Sequence, residues 1–285
     1  MARLGMGLCL LLAACAIQGR QQHGPDLAAA GGWQWRTIPA GPFELAAATR
    51  PARVSVADTA PLVIYIEGDG FAYRSATQPA QDPTPVDPVA LRLALAHPGD
   101  GPAAWLARPC QYTAVRRPCD PAYWTDARWA PEVVDSTGMA LDQLKRDAGA
   151  GRLVLVGYSG GGALAALLAE RRDDVVALVT VAANLDLDSW VRAHDLAPLT
   201  RSLNPAAAAA ALAALPQIHI SGGRDTTVGR DILRAFTDRL PPSAPVRVLD
   251  IPDQDHGGGW ATIWPELSRR AEFKSLPGWL PPSGG

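Results

Sequence analysis

Five stretches of the chain are apolar with little alternation: Leu62–Ile66, Leu153–Val156, Val175–Val181, Gln217–Ile220 and Val246–Ile251. They are rich in β-branched residues, and near-continuous apolar runs are what strands buried on both faces of a parallel sheet require. Between them the period lengthens to that of helices. Pro131–Ala148 opens with proline and carries Lys145 and Arg146 near its end, as the helix dipole favours. Gly161–Arg172 is rich in Ala and Leu, and Asn204-Pro205 opens a capped Ala-rich run to Leu215. Gly229–Leu240 and Ala261–Leu276 are amphipathic, and a further helix is expected near Pro88–Ala96. Trp33–Ile38 and Arg53–Val56 read as short leading strands, antiparallel at one edge. Strands followed by repeated helix–strand units predict one α/β domain over 33–285 with an open, mostly parallel sheet flanked by helices.

Two long connections interrupt this order. Residues 71–87 are polar and Pro/Gln-rich, and residues 183–204 follow the strand at 175–181. Long insertions behind strand ends build pockets and lids, so 183–204 is expected to be a small lid-like insertion.

The first 14 residues read as a targeting segment. Arg3 precedes the apolar run Leu8-Cys9-Leu10-Leu11-Leu12, which is far shorter than the ~20 residues that span a bilayer. Leu12-Ala13-Ala14-Cys15 resembles a bacterial lipobox. The resemblance implies cleavage before Cys15, acylation of Cys15 and a lipid anchor on the periplasmic side of a membrane. Ala16 stands where Asp would favour inner-membrane retention, which points to the outer membrane. Residues 15–32 are then a lipidated, flexible tether. The competing reading is an ordinary secretory signal with Cys15 incidental.

Composition narrows the function classes. A hydrophobic share of 48% excludes a mainly disordered chain. With 26 Lys+Arg against 28 Asp+Glu there is no basic excess to neutralise phosphates, so no nucleic-acid partner is expected. After loss of residues 1–14 and acylation of Cys15, Cys110 and Cys119 remain, and an even pair in an oxidising compartment predicts a disulfide. Reduced thiols or a metal site are the alternatives, but no CxxC or HxxxH partner accompanies them.

The chemistry centres on Gly157-Tyr158-Ser159-Gly160-Gly161, a Gly-x-Ser-x-Gly pattern between a buried strand and an Ala-rich helix. Such a turn lifts the Ser hydroxyl above the sheet and aims a helix N-terminus at a developing anion. No Lys follows the glycines and no Gly-x-Gly-x-x-Gly is present, so the phosphate-binding alternatives fail and no cofactor or metal is expected.

With this motif in place the chain resembles the α/β-hydrolase superfamily over nearly all of 33–280. It is similar to a group of bacterial α/β-hydrolase-fold lipoproteins, sharing stretches like Arg108-Pro109-Cys110-Gln111-Tyr112, Tyr123-Trp124-Thr125 and Ser221-Gly222-Gly223-Arg224-Asp225. The resemblance implies a nucleophile, an acid and a base in the order Ser159, Asp225, His256. Asp225 follows the next-to-last strand in a Gly-x-x-Asp-x-x-Val loop, with Asp186 and Asp188 as competitors behind the preceding strand. His256 follows the last strand, while His23, His97, His194 and His219 fit the role poorly. An oxyanion hole is implied from the N–H of Gly160 and from Asp69 or Gly70 in the loop Glu67-Gly68-Asp69-Gly70-Phe71, with Glu67 where His is common. Glu67 and Asp69 either disfavour anionic substrates or turn aside and bond locally. Trp124, Trp129, Trp190, Trp260 and Trp264 either line a pocket or pack loops onto the domain.

The expected activity is a serine hydrolase of the cell envelope that acts on a small-molecule ester or amide and is held at the membrane by Cys15. A ligand- or partner-binding lipoprotein on a hydrolase scaffold is the alternative from another class. An acyltransferase with a non-water acceptor would use the same residues.

Overall fold

The buried runs form the middle of an eight-stranded sheet, and the alternating ones lie at its edges. The structure, a computed structural model, describes residues 17–51, 60–113 and 119–279. Strands β1 (Gln34–Ala40) and β2 (Phe43–Arg50) form an antiparallel hairpin. β3 (Leu62–Ile66), β6 (Ala103–Leu106), β7 (Leu153–Tyr158), β8 (Val175–Val181), β9 (Gln217–Gly222) and β10 (Val246–Ile251) run parallel to one another. The sheet order is β1-β2-β6-β3-β7-β8-β9-β10, and β2 joins β6 antiparallel. Every residue of β3, β6, β7 and β9 is buried, whereas edge strand β10 leaves half of its residues exposed. A separate short hairpin, β4 (Tyr73–Ser75) with β5 (Gln78–Pro79), decorates the 71–87 connection.

Helices cover both faces of the sheet. α3 (Pro131–Asp147), α4 (Gly160–Ala169), α5 (Leu187–Ala193) and α6 (Arg230–Thr237) pack on one face. A helix over 17–30, α1, joins α2 (Val89–Leu95) and α7 (Trp260–Leu267) on the other. α/β topology with this parallel core matches the sequence reading. Among the described residues no helix is long and apolar enough to cross a membrane.

Several expectations are corrected. The second leading strand is Phe43–Arg50; the segment expected for it, Arg53–Val56, falls outside the described residues. Strand β6 was not anticipated, because Ala-Ala-Trp-Leu carries little intrinsic β preference and becomes a strand through its neighbours. The Ala-rich run after Asn204 is not one α-helix but two 3₁₀ turns, Pro205–Ala207 and Ala209–Leu212, with Asn204 Oδ1 capping Ala206 N–H at 3.1 Å. The last helix ends at Leu267 and a 3₁₀ turn covers Ala271–Ser275. Finally, residues 17–30 are a docked helix rather than a flexible tether. Ala28 is fully buried, and a Cβ at Gly24 would strike the Tyr112 ring. The physical reason is small residues on one face that admit close contact with Trp35 and Tyr112. Residues 1–16, with the targeting segment and Cys15, lie outside the described residues.

Candidate active site

Strand β7 ends at Tyr158 and α4 starts at Gly160, so Ser159 stands alone at the turn. Its φ of 50° and ψ of −123° lie where residues with a Cβ are strained. Two things hold it there. Its N–H donates to Val181 O at 2.9 Å, and the flanking glycines let strand and helix close up. A Cβ at Gly157 would run into the backbone of Gly161 and Gly162, and one at Gly161 into the carbonyls of Ile66 and Glu67. Trp129 Nε1 donates to Gly160 O at 2.9 Å and fastens the first turn of α4 from the side.

Ser159 Oγ lies 3.0 Å from His256 Nε2, and His256 Nδ1 lies 2.8 Å from Asp225 Oδ2. The Asp225 carboxylate can only accept, so Nδ1 carries the proton and Nε2 turns its lone pair to Ser159. Asp225 is itself fixed, since Oδ1 accepts from Thr227 N–H at 2.8 Å and Val228 N–H at 2.7 Å. The His256 carbonyl accepts from Tyr158 Oη at 2.8 Å and Trp260 Nε1 at 3.0 Å, which ties the loop after β10 to the turn before α4. Asp225 has a fully buried side chain and His256 a partly exposed one. The competing acids do other work. Asp186 caps α5 through Ser189 N–H and pairs with Arg239, and Asp188 is an exposed residue of the first turn of α5. Of the other histidines, His219 is buried between Thr180 and Gln217, where burial pushes its pKa down to about 3. His97 bonds Tyr65 Oη, His194 meets Thr227 O, and His23 faces Arg92 from α1.

The loop after β3 forms the opposite wall. Gly68 N–H is taken by Glu67 Oε1 and Phe71 N–H by Pro83 O, and Asp69 and Gly70 line the same cavity as Gly160. Gly70 has φ 68°, and a Cβ there would strike Pro83 O. Asp69 Oδ1 accepts from Arg108 Nη1 at 2.8 Å and Oδ2 from Arg128 Nη1 at 2.7 Å. Burial alone would raise the Asp69 pKa, but the two guanidinium groups hold it below the usual carboxylate range. Arg108 Nη2 also reaches Arg128 O, and Gln111 Nε2 donates to Gly68 O at 2.9 Å. Cys110 and Cys119 form a disulfide that closes this segment. Glu67 turns away into the start of α2 and accepts from Ala90 N–H, Leu91 N–H and Trp105 Nε1. Burial raises its pKa to about 7, against the pull of those donors. Neither carboxylate is therefore left unpaired, which answers the question of their role in favour of local bonding.

A cavity of about 400 Å³ lies between the two walls, with Ser159, His256, Gly160, Phe71, Arg128 and Trp190 among its lining residues. The 183–204 insertion contributes α5, with Trp190 Nε1 bonded to Thr227 O. Of the five tryptophans singled out, only Trp190 lines the cavity. Trp129 and Trp260 brace the site through their indole N–H groups, Trp124 bonds Ala80 O, and Trp264 packs on Tyr65 and Trp279. Arg108, Gln111 and Arg128 are the residues whose roles sequence reasoning missed. Arg108 and Gln111 lay within a motif already singled out, but nothing in the sequence linked that motif to residue 69.

No family model matches the sequence, and no curated protein matches it. Solved structures do. A puromycin hydrolase superposes with a TM-score of 0.59 at 18% identity over 86% of this chain, which spans only 39% of that protein. Est1E from Butyrivibrio proteoclasticus superposes with a TM-score of 0.59 at 13% identity, over 82% of this chain and 95% of its own. A bacterial membrane phospholipase A superposes with a TM-score of 0.54 at 15% identity, over 94% of each chain. At these identities the likeness establishes the fold, and the chain has the α/β-hydrolase fold.

Proposed function

We propose that this α/β-hydrolase-fold protein is a serine hydrolase of the bacterial cell envelope, cleaving a carboxylic ester, or an amide, through an acyl-enzyme on Ser159. The observation that carries the reading is the unbroken line from Ser159 Oγ through His256 to Asp225, opening on a cavity. His256 Nε2 takes the Ser159 proton as Oγ attacks the acyl carbon, and Asp225 stabilises the imidazolium that results. The N–H of Gly160 and that of Asp69 or Gly70 are the donors proposed for the oxyanion, supported by their lining the same cavity as Ser159. Collapse expels the alcohol, protonated by His256, and water repeats the sequence on the acyl-enzyme. An esterase from Pyrococcus furiosus, a phospholipase and peptidases among the structural neighbours support acyl transfer as the chemistry. The envelope location rests on the lipobox-like Leu12–Cys15, with Cys15 as the acylated anchor and Ala16 favouring the outer membrane.

The test is pre-steady-state hydrolysis of p-nitrophenyl butyrate by the mature protein. A burst of p-nitrophenol equal to the enzyme concentration, absent in Ser159→Ala, is the expected result. Turnover that survives Ser159→Ala overturns the reading.

A further inference from the structure

We infer that the mouth of the Ser159 cavity lies against the lipid bilayer, so that the ester it takes is an amphiphile presented by the membrane surface. The inference rests on Cys15 being the acylated anchor and deepens the hydrolase reading by naming its substrate class.

The first observation is where the chain leaves the domain. A flexible tether would let the body of the protein turn freely above the membrane, but α1 begins at residue 17 and contacts the domain from Arg20 onward. Its first turns touch the cavity wall itself. The Arg20 guanidinium lies 4.4 Å above the centre of the Phe71 ring, and Phe71 lines the cavity. Gln21 Nε2 donates to Asp82 Oδ2 at 2.8 Å, in the same 71–87 connection that supplies Pro85 and Val86 to the lining. Residue 17 is one helical turn from Arg20, about 4.5 Å of rise, and Cys15 is two residues further, within ~7 Å of extended chain. An acylated Cys15 thus draws this wall, rather than the far side of the sheet, toward the bilayer.

The second observation is independent of the anchor. Among the described residues the exposed large hydrophobics are Tyr73, Val86, Met139, Leu196 and Val248. Tyr73 and Val86 lie on the 71–87 connection and Leu196 on the 183–204 insertion, the two segments that flank the cavity. Val86 lines the cavity and is still 61% exposed. Apolar side chains exposed on the two segments that contribute to the lining mark a surface that a bilayer interface accepts. An acyl chain leaving that interface meets Phe71, Pro85 and Val86 on its way to Ser159.

The test uses the acylated protein reconstituted into phosphatidylethanolamine–phosphatidylglycerol vesicles containing doxyl-labelled lipid, after mass spectrometry of Cys15. A bimane label is placed in turn through Tyr73→Cys, Leu196→Cys, Met139→Cys and Val248→Cys. Labels at 73 and 196 are expected to lose about half of their emission and those at 139 and 248 little, as insertion to the acyl boundary on one side predicts. Equal quenching at all four, no quenching at 73 and 196, or a Cys15 without acyl groups overturns the inference. A second readout is turnover. Tyr73→Asp with Leu196→Asp is expected to slow hydrolysis of a vesicle-borne long-chain p-nitrophenyl ester about tenfold, because charge is driven from the interface, while soluble p-nitrophenyl butyrate is unaffected. Equal effects on both esters contradict it. If Ser159 were not a nucleophile, neither ester would be cleaved and the quenching pattern would still decide the orientation, so the two failures are told apart.

Discussion

On one side of the cavity Ser159, Asp225 and His256 each follow the end of a strand and are held by groups within their own or the neighbouring loop. On the other side, the loop after β3 is held by side chains that arrive from 39 and 59 residues away, Arg108 and Arg128 on Asp69. The first wall is built from backbone geometry: a strained turn, close-packed glycines and amide donors to a carboxylate. The second is built from buried charge, a glutamine and a disulfide. The chemistry proposed for Ser159 needs its reacting atoms closely placed, and the three residues proposed for it sit on rigid strand ends. The loop that would supply the second oxyanion donor has no regular structure of its own and borrows its rigidity from an ion cluster. The two walls should therefore fail differently, one in rate alone and the other in rate and stability together.

The largest effect is expected on the first wall. Ser159→Ala should lower kcat by roughly 10⁴–10⁶ while leaving the unfolding free energy within about 0.5 kcal/mol, read by ester turnover and urea denaturation. A large stability loss in this variant would erase the contrast. Asp69→Asn comes next and acts on the second wall. It leaves the guanidinium groups of Arg108 and Arg128 buried together without their carboxylate. Loss of about 3–5 kcal/mol in urea denaturation is expected for a broken buried pair. A drop in kcat of roughly 10²–10³ should accompany it as the oxyanion donor shifts. Unchanged stability would mean that the cluster does not hold the loop.

Reduction of Cys110–Cys119 is a gentler attack on the same wall. Its sequence separation of 9 makes a short loop, so the expected loss is about 2–3 kcal/mol, read by denaturation with and without reductant. kcat should fall less than in Asp69→Asn, since the ion pairs remain. The smallest effect concerns pH. The Glu67 pKa is raised by burial from the usual 4.5 to about 7. The unfolded chain then gives up its proton first, so this group favours the folded state less and less between about pH 4.5 and 7, and its contribution is level on either side. Glu67→Gln should flatten that part of the stability profile, and an unchanged slope would place the titration elsewhere.

The difference between the walls also marks how far the sequence could be read. Strand ends are visible as the close of an apolar run, so Ser159 was legible from its motif at one of them, while Asp225 and His256 followed from the resemblance to α/β-hydrolases and its order of nucleophile, acid and base. The parallel centre of the sheet was legible for the same reason. Arg108 and Arg128 left no comparable trace, because an ion pair across 39 or 59 residues has no period and no local signature. The docked helix over 17–30 was hidden likewise: its Ala, Gly and Gln residues look like a linker until Tyr112 and Trp35 are seen against Gly24. Arg53–Val56 and the targeting segment remain as sequence expectations outside the described residues.

The central claim is that Ser159 is an activated nucleophile, and a fluorophosphonate probe tests it most directly. The folded mature protein should take up one equivalent, mapped by peptide mass spectrometry to Ser159, with no uptake by Ser159→Ala or by heat-denatured protein. A folded protein that stays unlabelled, or one labelled at another residue, would contradict the account.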